Sequence, residues 1–163
     1  MNIFALSKCP MQSALWLDDI RKNKMILESA QMLSTAVRWL DPDTTLPVYK
    51  LAYMNHPCSK WARTSRANFV WLLSHMSWMF TQKIGNHASA KLIPALQKFA
   101  DGGEFPREVL TPFANCARNL ERGVDYSDVD DTHQAYRLYM NDRWKERNIK
   151  LTWNWGEIPE WKE

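Results

Sequence analysis

From Lys24 to Leu40 the chain runs KMILESAQMLSTAVRWL, and no other stretch restricts the fold as strongly. At about 100° per residue, Lys24, Glu28, Gln31 and Thr35 fall on one narrow stripe of a helix. Met25, Ile26, Ala30, Met32, Leu33, Ala36, Val37 and Leu40 occupy much of the remaining circumference. Such a helix is mostly buried, with one thin polar seam. The seam is either the solvated face of the helix or the lining of a cleft, and the spacing alone serves both.

A second helical run extends from about Ser59 to Ile84 and stops at Gly85. It is apolar over most of its circumference, which predicts a place at the centre of the fold. Arg63, Arg66, Ser74, Ser77 and Thr81 share the outward face. Trp61, Leu72 and Met79 lie opposite, and Asn68 and His75 lie with them. Polar groups on an inward face need partners, because an unpaired one costs about 1–3 kcal/mol. Glu28 or Gln31 on the first helix would supply them, which makes Asn68 either a structural hydrogen-bonder or part of a site.

The rest of the chain is also read as helix and loop. Met1 to Leu6 form a short buried lead-in. A helix opens at Pro10 and is broken near Asp18–Asp19, and Asp41-Pro42-Asp43 is a stop. A loop carries Pro47 and Pro57. A helix from about His87 to Ala100 is kinked or split at Pro94. Thr111-Pro112 opens a short helix to about Leu120, and a last helix spans about Asp131 to Asn148. The predicted fold is all-α: a compact single domain over 1–163, bundled around the helix at about 59–84. An irregular Trp-rich tail occupies about 150–163.

Composition removes several function classes. With only 5 Gly, a fold of many tight β-turns and a Gly-rich phosphate loop are both disfavoured, and no G-x-G-x-x-G occurs. The net charge of +3 permits nucleic-acid contact without demanding it. Cys9, Cys58 and Cys116 are odd in number, far apart and free of any C-x-x-C, which argues against a disulfide framework or a zinc knuckle. No signal-peptide pattern and no run of about 18 apolar residues is present, so the expectation is a cytoplasmic protein without membrane contact. None of His56, His75, His87 and His133 pairs at the i, i+4 spacing. A metal site would have to be assembled from scattered ligands, so no metal and no cofactor are expected. Cys58 lies beside His56, but neighbours joined through Pro57 need not meet in space.

Basic and aromatic residues interleave at Lys60, Trp61, Arg63 and Arg66, and again at Arg137, Tyr139, Arg143, Trp144, Lys145 and Arg147. That mixture suits phosphate contact with base stacking, and equally a solvated helix face with inward aromatics.

Three stretches carry a resemblance: Met1-Asn2-Ile3-Phe4, the run from Lys24 to Ala36, and Asn55-His56-Pro57-Cys58 followed by Trp61-Ala62-Arg63, Ser65, Asn68, Trp71 and Leu72. Together they resemble a widespread family of small bacteriophage proteins. Members often carry Asp-Lys-His before the Lys-Met pair, where this chain has Asp19-Ile20-Arg21 and lacks the imidazole. The order of features is more distantly similar to the phage pyrimidine-dimer DNA glycosylases, compact all-α enzymes. That similarity implies a DNA-acting enzyme with Glu28 as general acid/base or charge stabiliser, alongside His56 and Asn68. Gln31 and Asn68 would read a base edge, and Lys24, Lys60, Arg63 and Arg66 would hold phosphate. The glycosylases use a freed N-terminal amine as nucleophile, which requires a small second residue. Asn2 is not small, so either the amine of Met1 serves or the lyase chemistry is absent. Two alternatives stand beside this one: an enzyme or binder of free nucleotides, and a non-catalytic protein that docks a host or phage protein through its Trp-rich tail.

Overall fold

A computed structural model describes residues 1–82, 87–145 and 150–163. Among them are six α-helices: α1 (Pro10–Trp16), α2 (Asp19–Leu40), α3 (Pro57–Thr64), α4 (Arg66–Gln82), α5 (Ile93–Gly102) and α6 (Thr132–Lys145). The only sheet among the described residues is a hairpin of β1 (Arg118–Asn119) and β2 (Val124–Asp125), antiparallel with Arg118 opposite Asp125. The protein is mainly helical. No described helix is long and apolar enough to cross a membrane.

The break near Asp18–Asp19 is a helix cap. Asp18 accepts the Arg21 backbone N–H at 3.1 Å and so opens α2. Its carboxylate is fully buried, and it also accepts the Arg21 guanidinium and the Trp144 indole N–H, each at 2.9 Å. A buried charge is tolerable when donors surround it in this way.

The long run from Ser59 is two helices rather than one. Ser65 is extended, at φ −150° and ψ 158°, and its hydroxyl accepts the Asn68 N–H at 3.1 Å. The first N–H groups of α4 donate to the carbonyls of Arg107 and Glu108, so a distant loop satisfies donors that a continuous helix would have used internally. The expected end at Ile84 and Gly85 lies outside the described residues. Helix α4 packs against α1, α2, α3 and α5, and Phe69, Leu72 and Met76 on it are fully buried.

The short helix expected from Thr111 does not form. Thr111 is pinned to α4 instead: its N–H donates to Asn68 Oδ1 at 2.9 Å, and its hydroxyl accepts from Asn68 Nδ2 at 2.7 Å. Phe113 then sits 5.0 Å from both the Trp61 and Trp71 rings. Side-chain burial outweighs the local Thr-Pro start signal. Pro94 falls in the first turn of α5, with a 3-10 turn at Ala88–Leu92 before it. Helix α6 begins where Asp131 accepts the His133 N–H, and its expected extension to Asn148 lies outside the described residues.

The tail docks onto the start of α2. The Asp19 carboxylate accepts the Thr152 hydroxyl and both the backbone and side-chain N–H of Asn154. Lys22, fully buried, donates to the Trp155 carbonyl, and burial pushes its ammonium down to about 8. Trp153 donates to the Trp16 carbonyl, and Trp161 packs on Trp16 and Trp144. Trp153, Trp155 and Trp161 are therefore half-buried parts of the fold, not the exposed apolar patch that a docking tail requires.

Candidate functional site

The polar seam of α2 borders a cavity at Lys24 and Glu28 and an adjoining groove at Gln31. Thr35 is fully buried and exchanges two hydrogen bonds with Ala52, each of 3.0 Å. Glu28, two helical turns toward the N-terminus, has a side chain only 12% exposed. It borders a cavity of about 480 Å³ whose wall includes Met1, Phe4, Lys24, His56, Cys116, Arg118, Tyr139 and Arg143. That volume lies within the range of small-ligand sites, about 300–1,000 Å³.

Glu28 is fixed from both sides. Its Oε2 accepts the Asn2 backbone N–H at 2.9 Å and lies 3.8 Å from the Met1 α-amine, while Lys24 Nζ is 3.5 Å from Oε1. The Asn2 side chain organises the lead-in. Its Oδ1 accepts the N–H groups of Ile3 and Phe4, and its Nδ2 donates to the Cys116 carbonyl at 3.1 Å. Phe4 is held at φ +39°, a left-handed conformation that costs a bulky side chain about 1–3 kcal/mol. Its ring stacks on Tyr139 at 6.1 Å in the cavity wall.

His56 reaches the cavity from the N-cap of α3, where its Nδ1 accepts the Cys58 N–H at 3.2 Å. Burial, and then the Met1 ammonium, hold its imidazole below the ordinary histidine value, so it is neutral at neutral pH. Behind it the Cys58 and Cys116 sulfurs lie against each other, within 4.8 Å. That contact pushes Cys58 well up and draws Cys116 down to about 7. One ligand atom from each of His56, Cys58 and Cys116 lies within 4.8 Å of the other two. The neighbours across Pro57 do meet in space.

The expected site residues separate. Glu28, His56 and Lys24 share the cavity. Gln31 lines an adjoining groove that also includes Met1, Lys24 and Glu28. Asn68 is elsewhere: fully buried, it is satisfied by Thr111 and by the Trp61 carbonyl at 2.8 Å, with no part supplied by Glu28 or Gln31. The inward polar group was read correctly and its partner was not. His75 does not line the Glu28 cavity either; fully buried, it stacks on Trp71 at 5.1 Å and is pushed down by burial to about 3.

Arg63 and Arg66 do not face outward as free phosphate ligands. Arg63 is buried, donates to the Met54 carbonyl at 2.6 Å and lies 4.1 Å over the Trp39 ring. Arg66 holds Glu108 and the carbonyls of Ala100 and Gly103. Exposed Lys60 borders a separate groove with Arg63 and Trp39. Arg118, Arg143, Tyr139 and Cys116 are cavity residues that sequence reasoning did not place at the site. Tyr139 and Arg143 carry an i, i+4 signal, and the Arg143 guanidinium donates to the Tyr139 hydroxyl at 3.0 Å. Cys116 stands in irregular chain and Arg118 in a two-residue strand, both too short of periodic signal to be marked.

Compared with known proteins, the chain matches no family model, no curated protein and no solved structure.

Because Asn68 fastens the Thr111 segment rather than touching the cavity, Asn68→Ala is expected to act on stability. It strands the Trp61 carbonyl and the Thr111 N–H and should cost about 2–3 kcal/mol in urea unfolding. Any ligand binding by the folded fraction should be unchanged.

Proposed function

We propose that the protein is a DNA-acting enzyme of the glycosylase type, which takes a flipped base or nucleotide into the Glu28 cavity. The observation that carries this reading is the charge arrangement. A sheltered carboxylate sits in a concave wall whose charged residues are mostly cations, with Arg21, Lys24, Arg118 and Arg143 set against Glu28 and Glu121. Arg21 is committed to Asp18. Lys24 and Arg118 are exposed at the rim, where they meet phosphate. Phe4 and Tyr139, buried and packed on each other, give the cavity an aromatic edge against which a base drawn out of the stack would rest.

Glycosidic cleavage builds positive charge on the sugar. Glu28 is placed to stabilise that charge or to orient the attacking water, and Lys24 and the Asn2 N–H fix its two oxygens. The Asn2 nitrogen is an amide already donating to Glu28, so no borohydride-trappable adduct forms there. The group that a lyase step would use is the Met1 α-amine beside Glu28.

The test is salt-dependent binding to duplex and single-stranded oligonucleotides. Lys24→Ala and Arg118→Ala should each weaken binding and flatten the slope of log K against log salt by about one unit. Arg63→Ala, in a folded sample, should leave the slope alone. A cavity of this size also takes a free nucleotide. Saturable nucleotide binding with no salt-dependent DNA binding would favour that alternative.

A further inference from the structure

We propose that His56, Cys58 and Cys116 form a binding site for one thiophilic divalent cation of the zinc class, with its fourth position open to the Glu28 cavity. The proposal stands on side-chain geometry and donor chemistry, and it does not depend on the nucleic-acid reading.

One ligand atom from each of the three residues lies within 4.8 Å of the others. Around a tetrahedral Zn²⁺, with sulfur at about 2.3 Å and nitrogen at about 2.0 Å, such atoms stand roughly 3.5–3.8 Å apart. The site closes by a shift of about 1 Å, within the reach of side-chain rotation.

The backbone on both sides is already held. His56 and Cys58 occupy the first turn of α3, whose N-cap is His56 itself. On the other side, the Cys116 N–H donates to the Tyr136 hydroxyl at 3.1 Å and its carbonyl accepts from Asn2. The Tyr136 hydroxyl in turn donates to the Ala114 carbonyl at 2.7 Å, so this stretch of irregular chain is pinned at two points.

The donors choose the ion. Two sulfurs and an imidazole suit zinc and related soft cations, and they offer nothing to magnesium or calcium, which want oxygen. The charge balances as well. Uptake releases the two thiol protons, and two thiolates cancel the dication, so the cationic wall formed by Arg118 and Lys24 does not repel the loaded site. The imidazole binds through one nitrogen and carries its proton on the other. His56 therefore gives up its cap bond to the Cys58 N–H in exchange for a coordinate bond. Cys58 is buried behind the other two, whereas His56 and Cys116 border the cavity. Three protein ligands with the fourth direction facing a cavity are the arrangement of zinc sites that carry water or substrate rather than purely structural ones.

The test uses the full chain without an affinity tag, reduced with a phosphine, stripped with a chelator and titrated with Co²⁺ and then Zn²⁺. One equivalent of Co²⁺ should give an intense thiolate-to-cobalt charge-transfer band and strong tetrahedral visible bands. One equivalent of Zn²⁺ should erase both. Cys116→Ser and His56→Ala should each weaken Zn²⁺ binding by roughly 100-fold or more, and Cys9→Ser, at an exposed thiol, should leave it unchanged. Thermal melts of the apo variants establish that they fold, and the wild-type spectrum stands without them. The absence of a charge-transfer band in the wild type, unaltered affinity in folded Cys116→Ser, or a Cys58–Cys116 disulfide persisting in the reduced protein would each overturn the proposal.

Discussion

Gly156→Ala is expected to lower the melting temperature by roughly 6–12 °C, the equivalent of about 3 kcal/mol in a chain of this size. A Cβ at this position would stand 2.2 Å from both the Leu15 carbonyl oxygen and Lys22 Nζ. The lysine end can move, but the Leu15 carbonyl is backbone, and it accepts the Glu157 N–H at 3.0 Å in the same joint. Relieving the overlap means lifting the tail from α1 and α2. That exposes the buried Lys22 ammonium and breaks the bonds of Asp19 to Thr152 and Asn154. Gly102→Ala is the matched control. Nothing lies within 4 Å of the Cβ it would add, and it occupies the end of α5, so it should be neutral or stabilising by a few tenths of a kcal/mol. Differential scanning calorimetry of the two variants beside wild type checks both.

Glu28→Gln is expected to reduce base release by about 10²–10⁴-fold, the usual contribution of a positioned acid/base group, with DNA affinity kept within about threefold. The amide has the shape of the carboxylate, and its oxygen can still accept the Asn2 N–H. It loses the charge that faces the Met1 amine and Lys24, and with it the means to stabilise a cationic sugar or activate water. A separate measurement of single-turnover release and equilibrium binding distinguishes this from a folding defect, which would lower both together.

Much of the helical architecture was legible because periodicity reports burial directly. The polar seam of α2 was visible as a stripe; Lys24, Glu28 and Gln31 on it border open grooves, and Thr35 is buried. What escaped depends on contacts distant in sequence. Asn68 faces inward as its helix position predicts, and its partners are the Trp61 carbonyl and Thr111, the latter in a loop that no periodic signal marks. The same loop region removed the helix expected at Thr111 and, through the Arg107 and Glu108 carbonyls, allowed the chain to break at Ser65. Arg63 and Arg66 lie on the predicted polar face, yet each is drawn onto carbonyls of neighbouring loops. The tryptophans of the tail left a docking surface open as one alternative. Asp18 and Asp19, which mark the helix break, are the carboxylates that hold Trp144 and the tail in place. The grouping of Cys116 with His56 and Cys58 was hidden for the simplest reason: a third ligand far along the chain makes no motif.

The central proposal is that the Glu28 cavity releases a base from DNA. The direct measurement is a base-release assay with wild-type and Glu28→Gln protein on labelled duplex and single-stranded oligonucleotides carrying normal bases, ultraviolet photoproducts or phage-type modified bases. The account predicts release from at least one of these substrates by the wild type and its loss in Glu28→Gln, with binding retained. No release from any substrate together with no salt-dependent binding, or release that survives Glu28→Gln undiminished, would contradict it.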